Sequence, residues 1–139
     1  MAEAKGIFEV KGWDEKTYEE LPNGGKLSEA KVTQHFSGDI IGEGNVIWLM
    51  AYPRANAAHF VGIQRFVGTV GGKKGSFVAE TIGDFDGKVA KWRCSILTGS
   101  GTDKLSGISG EGAFEAPHGS RAEYRIEYEF EPAKVRSGR

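Results

Sequence analysis

Three kinds of residue in this sequence have the chemistry of a site: a glycine-rich stretch, three histidines and one cysteine. The glycine-rich stretch is "LTGSGTDKLSGISGEGAF" (97–114). A phosphate-binding loop needs a glycine–lysine–serine/threonine ending or a glycine fingerprint that opens a helix, and this stretch has neither. Ile108 leads instead into Gly110 and Gly112. That pattern predicts a strand that bends sharply or lies against a neighbouring backbone or bulky ring.

The histidines and the cysteine do not form a recognisable reactive set. His35, His59 and His118 fall on different predicted segments without metal-ligand spacing, and each is expected at the surface or an interface. Cys94 is the only cysteine, which excludes an intramolecular disulfide and predicts a buried packing thiol in a reducing cytoplasm. No serine, histidine and acid arrangement indicates a nucleophilic triad. We therefore expect no metal and no cofactor, and no catalytic residue can be named.

Polar side chains on otherwise apolar strand faces are the more informative feature. Gln64 shares its parity with Phe60 and Phe66, and Thr81 shares its parity with Phe77. A buried amide or hydroxyl must find a partner, because an unsatisfied group costs roughly 1–3 kcal/mol. Two alternatives remain open: a solid core with internal hydrogen bonds, or a cavity with an aromatic wall that binds a small molecule. The predicted ligand-binding residues are Ile47, Phe60, Gln64, Phe66, Thr81, Trp92, Tyr124 and Tyr128.

Strict alternation of apolar and polar residues dominates the chain. In 122–130, Tyr124 and Tyr128 face one way while glutamates and Arg125 face the other, which is typical of a strand with one buried face. The connection 14–28 is polar and allows at most one helical turn. The pattern predicts an all-β fold, an antiparallel sandwich or barrel of eight strands in a single domain (1–132) with a flexible C-terminal tail (133–139). The predicted strands are 6–13, 31–44, 45–52, 59–70, 75–85, 88–97, 104–114 and 122–130.

The composition excludes several classes of partner. The formal net charge is −1 over 139 residues, so no global field attracts nucleic acid or an anionic membrane. No run approaches the ~18 apolar residues of a membrane span, and no signal peptide is recognisable at the N-terminus. A cytoplasmic protein is therefore expected. Glycine is in excess, at 21 residues, which favours turns and close-packed strands over helices.

Two central segments are apolar on both parities. Trp48, Met50, Val61, Ile63 and Val67 cannot all point into a barrel whose opposite parity is also apolar. Leaving them in water would expose a large apolar patch. The sequence therefore predicts a homo-oligomer, at least a dimer, with Trp48 or its parity-mates near the interface.

Several segments together resemble a bacterial family of uncharacterised proteins with the allene-oxide-cyclase-like barrel fold. They include "FEVKGWDEKTYEE", "WLMAY", "FVGIQRFVGTVGGKKGSFVAETIGDFDG" and the glycine-rich stretch, and the resemblance covers 6–130. It implies an eight-stranded antiparallel barrel that often self-associates, and no particular reaction. The family pattern implies acids at Ile47 and Gln64 and a histidine at Thr81. All three are uncharged here, so acid–base catalysis at these positions is not expected.

Three functions follow as expectations. The first is binding of a small hydrophobic or aromatic molecule in the barrel interior, with no assigned reaction. The second is a cyclase or isomerase that folds a polyene or epoxide into a reactive conformation, with Gln64, Thr81, Tyr124 and Tyr128 as positioning groups. The third is a structural oligomer whose barrel is filled.

Overall fold

The computed structural model describes residues 2–116 and 121–131. The strands are β1 (Ala2–Glu20), β2 (Lys26–Gly38), β3 (Ile40–Arg54), β4 (Ala57–Val70), β5 (Lys73–Phe85), β6 (Ala90–Ile96), β7 (Thr102–Asp103), β8 (Ile108–Ala116) and β9 (Arg121–Phe130). Eight of them close into an antiparallel barrel in the order β1-β2-β3-β4-β5-β6-β8-β9, and the two-residue β7 pairs with β5. This confirms the predicted all-β barrel. The predicted tail (133–139) and His118 lie outside the described residues.

The first three strands differ from the predicted boundaries. Most of the polar connection 14–28 is strand, because β1 and β2 form one long hairpin around a single 3-10 turn at Pro22–Gly24. The predicted strand 31–44 is divided by a turn at Gly38, whose φ of +101° lies in a region that only glycine adopts easily. Charged outward residues made this hairpin look like a loop in the sequence.

A β-bulge in β1 changes which residues face the barrel axis. The pairing with β2 slips by one residue between Val10 and Gly12. Before the slip Phe8 pairs with an inward residue, whereas after it Trp13 and Glu15 pair with inward residues. A bulge inserts one unpaired residue and so exchanges the two faces of a strand. As a consequence, β1 directs Trp13 and Glu15 towards one end of the barrel.

Glycines make room for the large interior side chains. Trp48 pairs across the strands with Gly62, Trp92 with Gly83, and Tyr124 with Gly6. A Cβ atom at Gly62 would lie 2.5 Å from Trp48 Cδ1, well inside van der Waals contact. Gly112 likewise faces Ile126, and this agrees with the sharp bend or close approach predicted for its stretch. The glycine excess therefore serves interior packing.

Several large apolar side chains lie on the outer surface of the barrel. Ile47, Val61 and Ile63 point outward and are 38–51% exposed. Trp48 and Met50 are buried inside the barrel, so their predicted position near an interface is wrong. The reason is that Trp48 requires the space opposite Gly62, which fixes the parity of β3. Within the described residues, no helix is long and apolar enough to span a membrane.

Candidate functional site

Six of the eight predicted site residues share the barrel interior. These are Phe60, Gln64, Phe66, Thr81, Trp92 and Tyr124, all at most 6% exposed. Tyr128 is only partly buried, and its ring contacts Phe130 with centroids 6.0 Å apart. Ile47 is wrongly assigned, because it points away from the barrel and is 46% exposed. The three positions at which the resemblance implies charged or titratable residues, Ile47, Gln64 and Thr81, therefore do not form one interior cluster.

Several polar groups of the interior form hydrogen bonds with one another. The Gln64 amide nitrogen donates to Oε1 of Gln34, a second fully buried amide. The Trp48 Nε1–H donates to the Thr81 hydroxyl at 2.8 Å, and that hydroxyl lies 3.4 Å from the carbonyl of Gly62. Buried polar groups paired in this way stabilise the fold without needing a ligand.

Tyr124 also has a structural role. Its hydroxyl accepts the backbone N–H of Ile40 at 2.9 Å and lies 2.8 Å from the carbonyl of Ser37, which fixes the β2–β3 turn. Burial raises the pKa of this phenol. Burial also raises the pKa of the Cys94 thiol to about 12, so this thiol is protonated and unreactive at neutral pH.

Aromatic rings fill the middle of the barrel. Trp92 stacks on Phe114 at 5.2 Å and meets Trp48 edge-on at 5.4 Å, and Phe66 lies 5.2 Å from Phe77. The void beside Gln64 and these rings measures about 10 Å³. A ligand site usually needs at least ~300 Å³. The interior contacts therefore correspond to the solid-core alternative. Binding of a small molecule in the interior stays a prediction, and it would require the aromatic rings to separate.

One end of the barrel is built differently, and we call it the mouth. The pairing of β1 with β9 ends at Glu9, whereas β1 continues along β2 to Glu20. The β1–β2 hairpin therefore extends beyond β9, and β3 pairs with the extended part of β2. Their inner faces carry Trp13, Glu15 and Tyr52.

A half-buried carboxylate lies at the centre of the mouth. Glu15 Oε2 accepts from the Ser28 hydroxyl at 2.5 Å and from the Tyr52 hydroxyl at 2.9 Å, and Oε1 accepts from Trp13 Nε1 at 3.1 Å. Burial raises the pKa of Glu15, but the three hydrogen bonds and the Lys26 charge outweigh burial and lower the pKa below its usual 4.5. Glu15 is therefore ionised at neutral pH.

The opposite wall of the mouth is apolar. β5 and β6 lie across the barrel from β1 and β2, and their inner ends carry Phe85 and Ala90, with Ala116 next to them on β8. All three are partly buried. Trp13 is 49% exposed although its ring is 5.9 Å from that of Trp48. The mouth thus combines a fixed negative charge, an accessible indole and an apolar wall.

Sequence reasoning missed the mouth because Glu15 and Ser28 lie in the stretch 14–28, which was interpreted as a connection. The bulge that turns Glu15 inward has no clear signature in the sequence. The only available signal was "WDEKTY" (13–18), where aromatic residues flank the acids. His35 and His59 are exposed, and each lies beside an acid on the neighbouring strand, at 3.3 Å from Glu43 and 2.8 Å from Asp84. In the part of the chain that the structure describes, no three potential metal ligands cluster.

Comparison with known proteins agrees with this barrel. A crystal structure of a protein of unknown function from Shewanella oneidensis MR-1, a member of the DUF3224 family, superposes with a TM-score of 0.79. The two chains are 25% identical over 95% of this chain and 99% of the other. No curated protein matches the sequence. The sequence model of DUF3224, described as a protein of unknown function, matches residues 4–128, and the chain therefore belongs to the DUF3224 family.

Proposed function

We propose that this barrel binds a small aromatic molecule that carries a positive charge, and that the ligand docks at the mouth. The observation that carries the proposal is the ionised Glu15 carboxylate, held by three donors beside the exposed ring of Trp13. The expected ligand class remains a small hydrophobic or aromatic molecule. Its position moves from the filled interior to the mouth, a common place for sites in β-barrels.

The charge of the ligand follows from the chemistry of the mouth. An aromatic face attracts a cation through its quadrupole, and a nearby carboxylate adds Coulomb attraction. The chain already places one ammonium in this environment, because Lys26 Nζ lies 4.9 Å from the centroid of the Tyr52 ring. Among the described residues no cation lies over Trp13. That ring face is available to a ligand.

Titration calorimetry with benzyltrimethylammonium and with neutral benzyl alcohol tests the proposal. We expect the cation to bind in a saturable manner and the alcohol to bind at least ~10-fold more weakly, since an effective interaction of about 1.4 kcal/mol corresponds to tenfold in affinity. Equal affinity for the two probes would contradict the proposal that the positive charge of the ligand contributes to binding.

Three variants locate the site. Glu15→Gln keeps the size and the acceptor oxygen but removes the charge, and should weaken the cation about tenfold. Trp13→Ala should also weaken it because the ring is lost, whereas Glu115→Gln, which removes an exposed carboxylate from the outer face of β8, should not. Unchanged affinity in Glu15→Gln would place the ligand elsewhere.

A second candidate, the structural oligomer with a filled barrel, is favoured by the small size of the interior void, about 10 Å³. It predicts no saturable binding of either probe. The cyclase alternative needs a chamber large enough to fold a polyene, and no observation in the described interior favours it.

A further inference from the structure

We propose that the ligand of the mouth is a protonated amine whose charged nitrogen carries an N–H group, and that this N–H donates a hydrogen bond to Oε1 of Glu15. The inference rests on the cation site proposed above. It narrows the ligand class from any aromatic cation to an ammonium that has a hydrogen to donate. The observation that carries it is the different use of the two oxygens of the Glu15 carboxylate.

One oxygen of this carboxylate already has its full set of donors. Oε2 accepts from the Ser28 hydroxyl at 2.5 Å and from the Tyr52 hydroxyl at 2.9 Å. Because a carboxylate oxygen has about two acceptor positions, these two hydroxyls occupy both positions of Oε2. Ser28 is fully buried and Tyr52 is partly buried, so Oε2 faces the wall of the barrel. A ligand in the mouth therefore has no acceptor position on Oε2.

The other oxygen keeps one acceptor position. Among the described residues, the only donor to Oε1 is Trp13 Nε1, at 3.1 Å. The Lys26 ammonium lies over the Tyr52 ring, and in the described part of the chain no ion pair joins it to Glu15. Trp13 is exposed, so the oxygen that it contacts lies on the open side of the carboxylate. The remaining acceptor position of Oε1 therefore adjoins the exposed indole.

Only a hydrogen-bond donor can use this position. An ammonium with an N–H contacts Oε1 directly, and a hydrogen bond between two charged groups is stronger than one between neutral groups. A quaternary ammonium has no N–H, and its methyl groups hold the charged nitrogen away from the oxygen. It retains the attraction of the Trp13 ring and a weaker Coulomb attraction to Glu15. The carboxylate therefore discriminates between two cations of equal charge.

Two probes that differ by one methyl group test this inference. N,N-Dimethylbenzylamine is protonated at pH 7, as alkyl amines such as lysine are, and carries one N–H, whereas benzyltrimethylammonium carries none. In titration calorimetry we expect the amine to bind at least ~10-fold more tightly, since it alone forms the charged hydrogen bond. Equal affinities, both above that of benzyl alcohol, would overturn this inference and leave the cation site in place. Absence of binding by both cations would overturn the cation site as well.

Two variants show which oxygen accepts the N–H. In Glu15→Gln the amide oxygen stays with the two hydroxyl donors, and the amide nitrogen, which only donates, takes the place of Oε1. The ratio of the two affinities should therefore fall from ~10 to about one. The matched control is Tyr52→Phe, which keeps the ring and removes a donor from Oε2 alone, so that the ratio should persist. A ratio that survives Glu15→Gln would contradict the assignment of the acceptor.

A spectroscopic measurement on the wild-type chain gives a second test that does not depend on the folding of the Glu15 and Tyr52 variants. A ligand N–H at Oε1 shares this oxygen with the indole N–H of Trp13, so the amine should shift that resonance more than the quaternary probe does at saturation. Trp13→Phe assigns the resonance in proton–nitrogen correlation spectra. The indole of Trp48, which donates to Thr81 at 2.8 Å inside the barrel, is the internal control. Equal shifts of the Trp13 resonance with the two probes would contradict the shared acceptor.

Discussion

The buried pair of glutamines allows a quantitative test of the interior. Gln34 and Gln64 are 1% and 6% exposed, and the amide of Gln64 donates to the carbonyl oxygen of Gln34. In Gln64→Leu, the Gln34 oxygen loses its donor, and the adjacent void of about 10 Å³ is at the lower limit of the volume that one water needs. We expect a loss of roughly 1–3 kcal/mol in the free energy of unfolding, the usual cost of an unsatisfied buried polar group.

A double-mutant cycle separates this cost from simple packing. Gln34→Leu combined with Gln64→Leu removes both polar groups, so the double variant should lose less stability than the sum of the single variants, by about 1–2 kcal/mol. Urea unfolding followed by tryptophan fluorescence measures each value. The matched control is Asn45→Leu, which breaks an exposed hydrogen bond of 3.1 Å from Thr33 and should change stability by less than about 0.5 kcal/mol because water replaces the partner. Additive losses in the cycle would refute the view that the amides satisfy each other.

Three further predictions concern single positions. Gly83→Ala should destabilise the fold by about 1–3 kcal/mol in urea unfolding, because the new methyl group would overlap the Trp92 side chain, and a neutral result would show that the barrel can widen there. The lowered pKa of Glu15 implies a contribution to stability that is present above the unfolded value of 4.5 and is lost as the pH falls through the folded pKa. Thermal unfolding of Glu15→Gln should therefore converge with that of the wild type as the pH falls through this range, and parallel curves would contradict the assignment. Cys94, whose pKa is raised to about 12 by burial, should resist alkylation by iodoacetamide at pH 8 in the native state and react once urea unfolds the chain.

The period-two pattern was sufficient to predict an antiparallel sandwich or barrel and the inward faces of most strands, and the family resemblance selected the barrel. On β9 the pattern placed Tyr124 inside without ambiguity, because polar residues occupy the other parity. On β3 both parities are apolar, so the pattern could not decide between Ile47 and Trp48. The decision comes from Gly62 on the neighbouring strand, which leaves space for an indole and is visible only once the register is known.

The mouth could not be predicted for a different reason. Alternation assumes an unbroken strand, and the bulge after Val10 exchanges the faces of β1. Trp13 and Glu15 then belong to the inner face, although Glu15 lies in a stretch whose sequence is that of a solvated loop. The contacts that make Glu15 part of a site come from two other strands, because its carboxylate accepts hydrogen bonds from Ser28 and Tyr52. Such long-range contacts cannot be identified from the local sequence.

The packing of the interior also bears on the proposed binding site at the mouth. An eight-stranded barrel is just wide enough for side chains to fill it, and here glycines on neighbouring strands let tryptophan and tyrosine fill it completely. Each glycine that gives space to an interior ring also leaves its own strand without a side chain of its own to bury. The mouth is the exception to this complete filling, because there the β1–β2 hairpin extends beyond β9 and the Trp13 ring is 49% exposed. A ligand that docks at this end, as proposed, therefore needs no rearrangement of the filled interior.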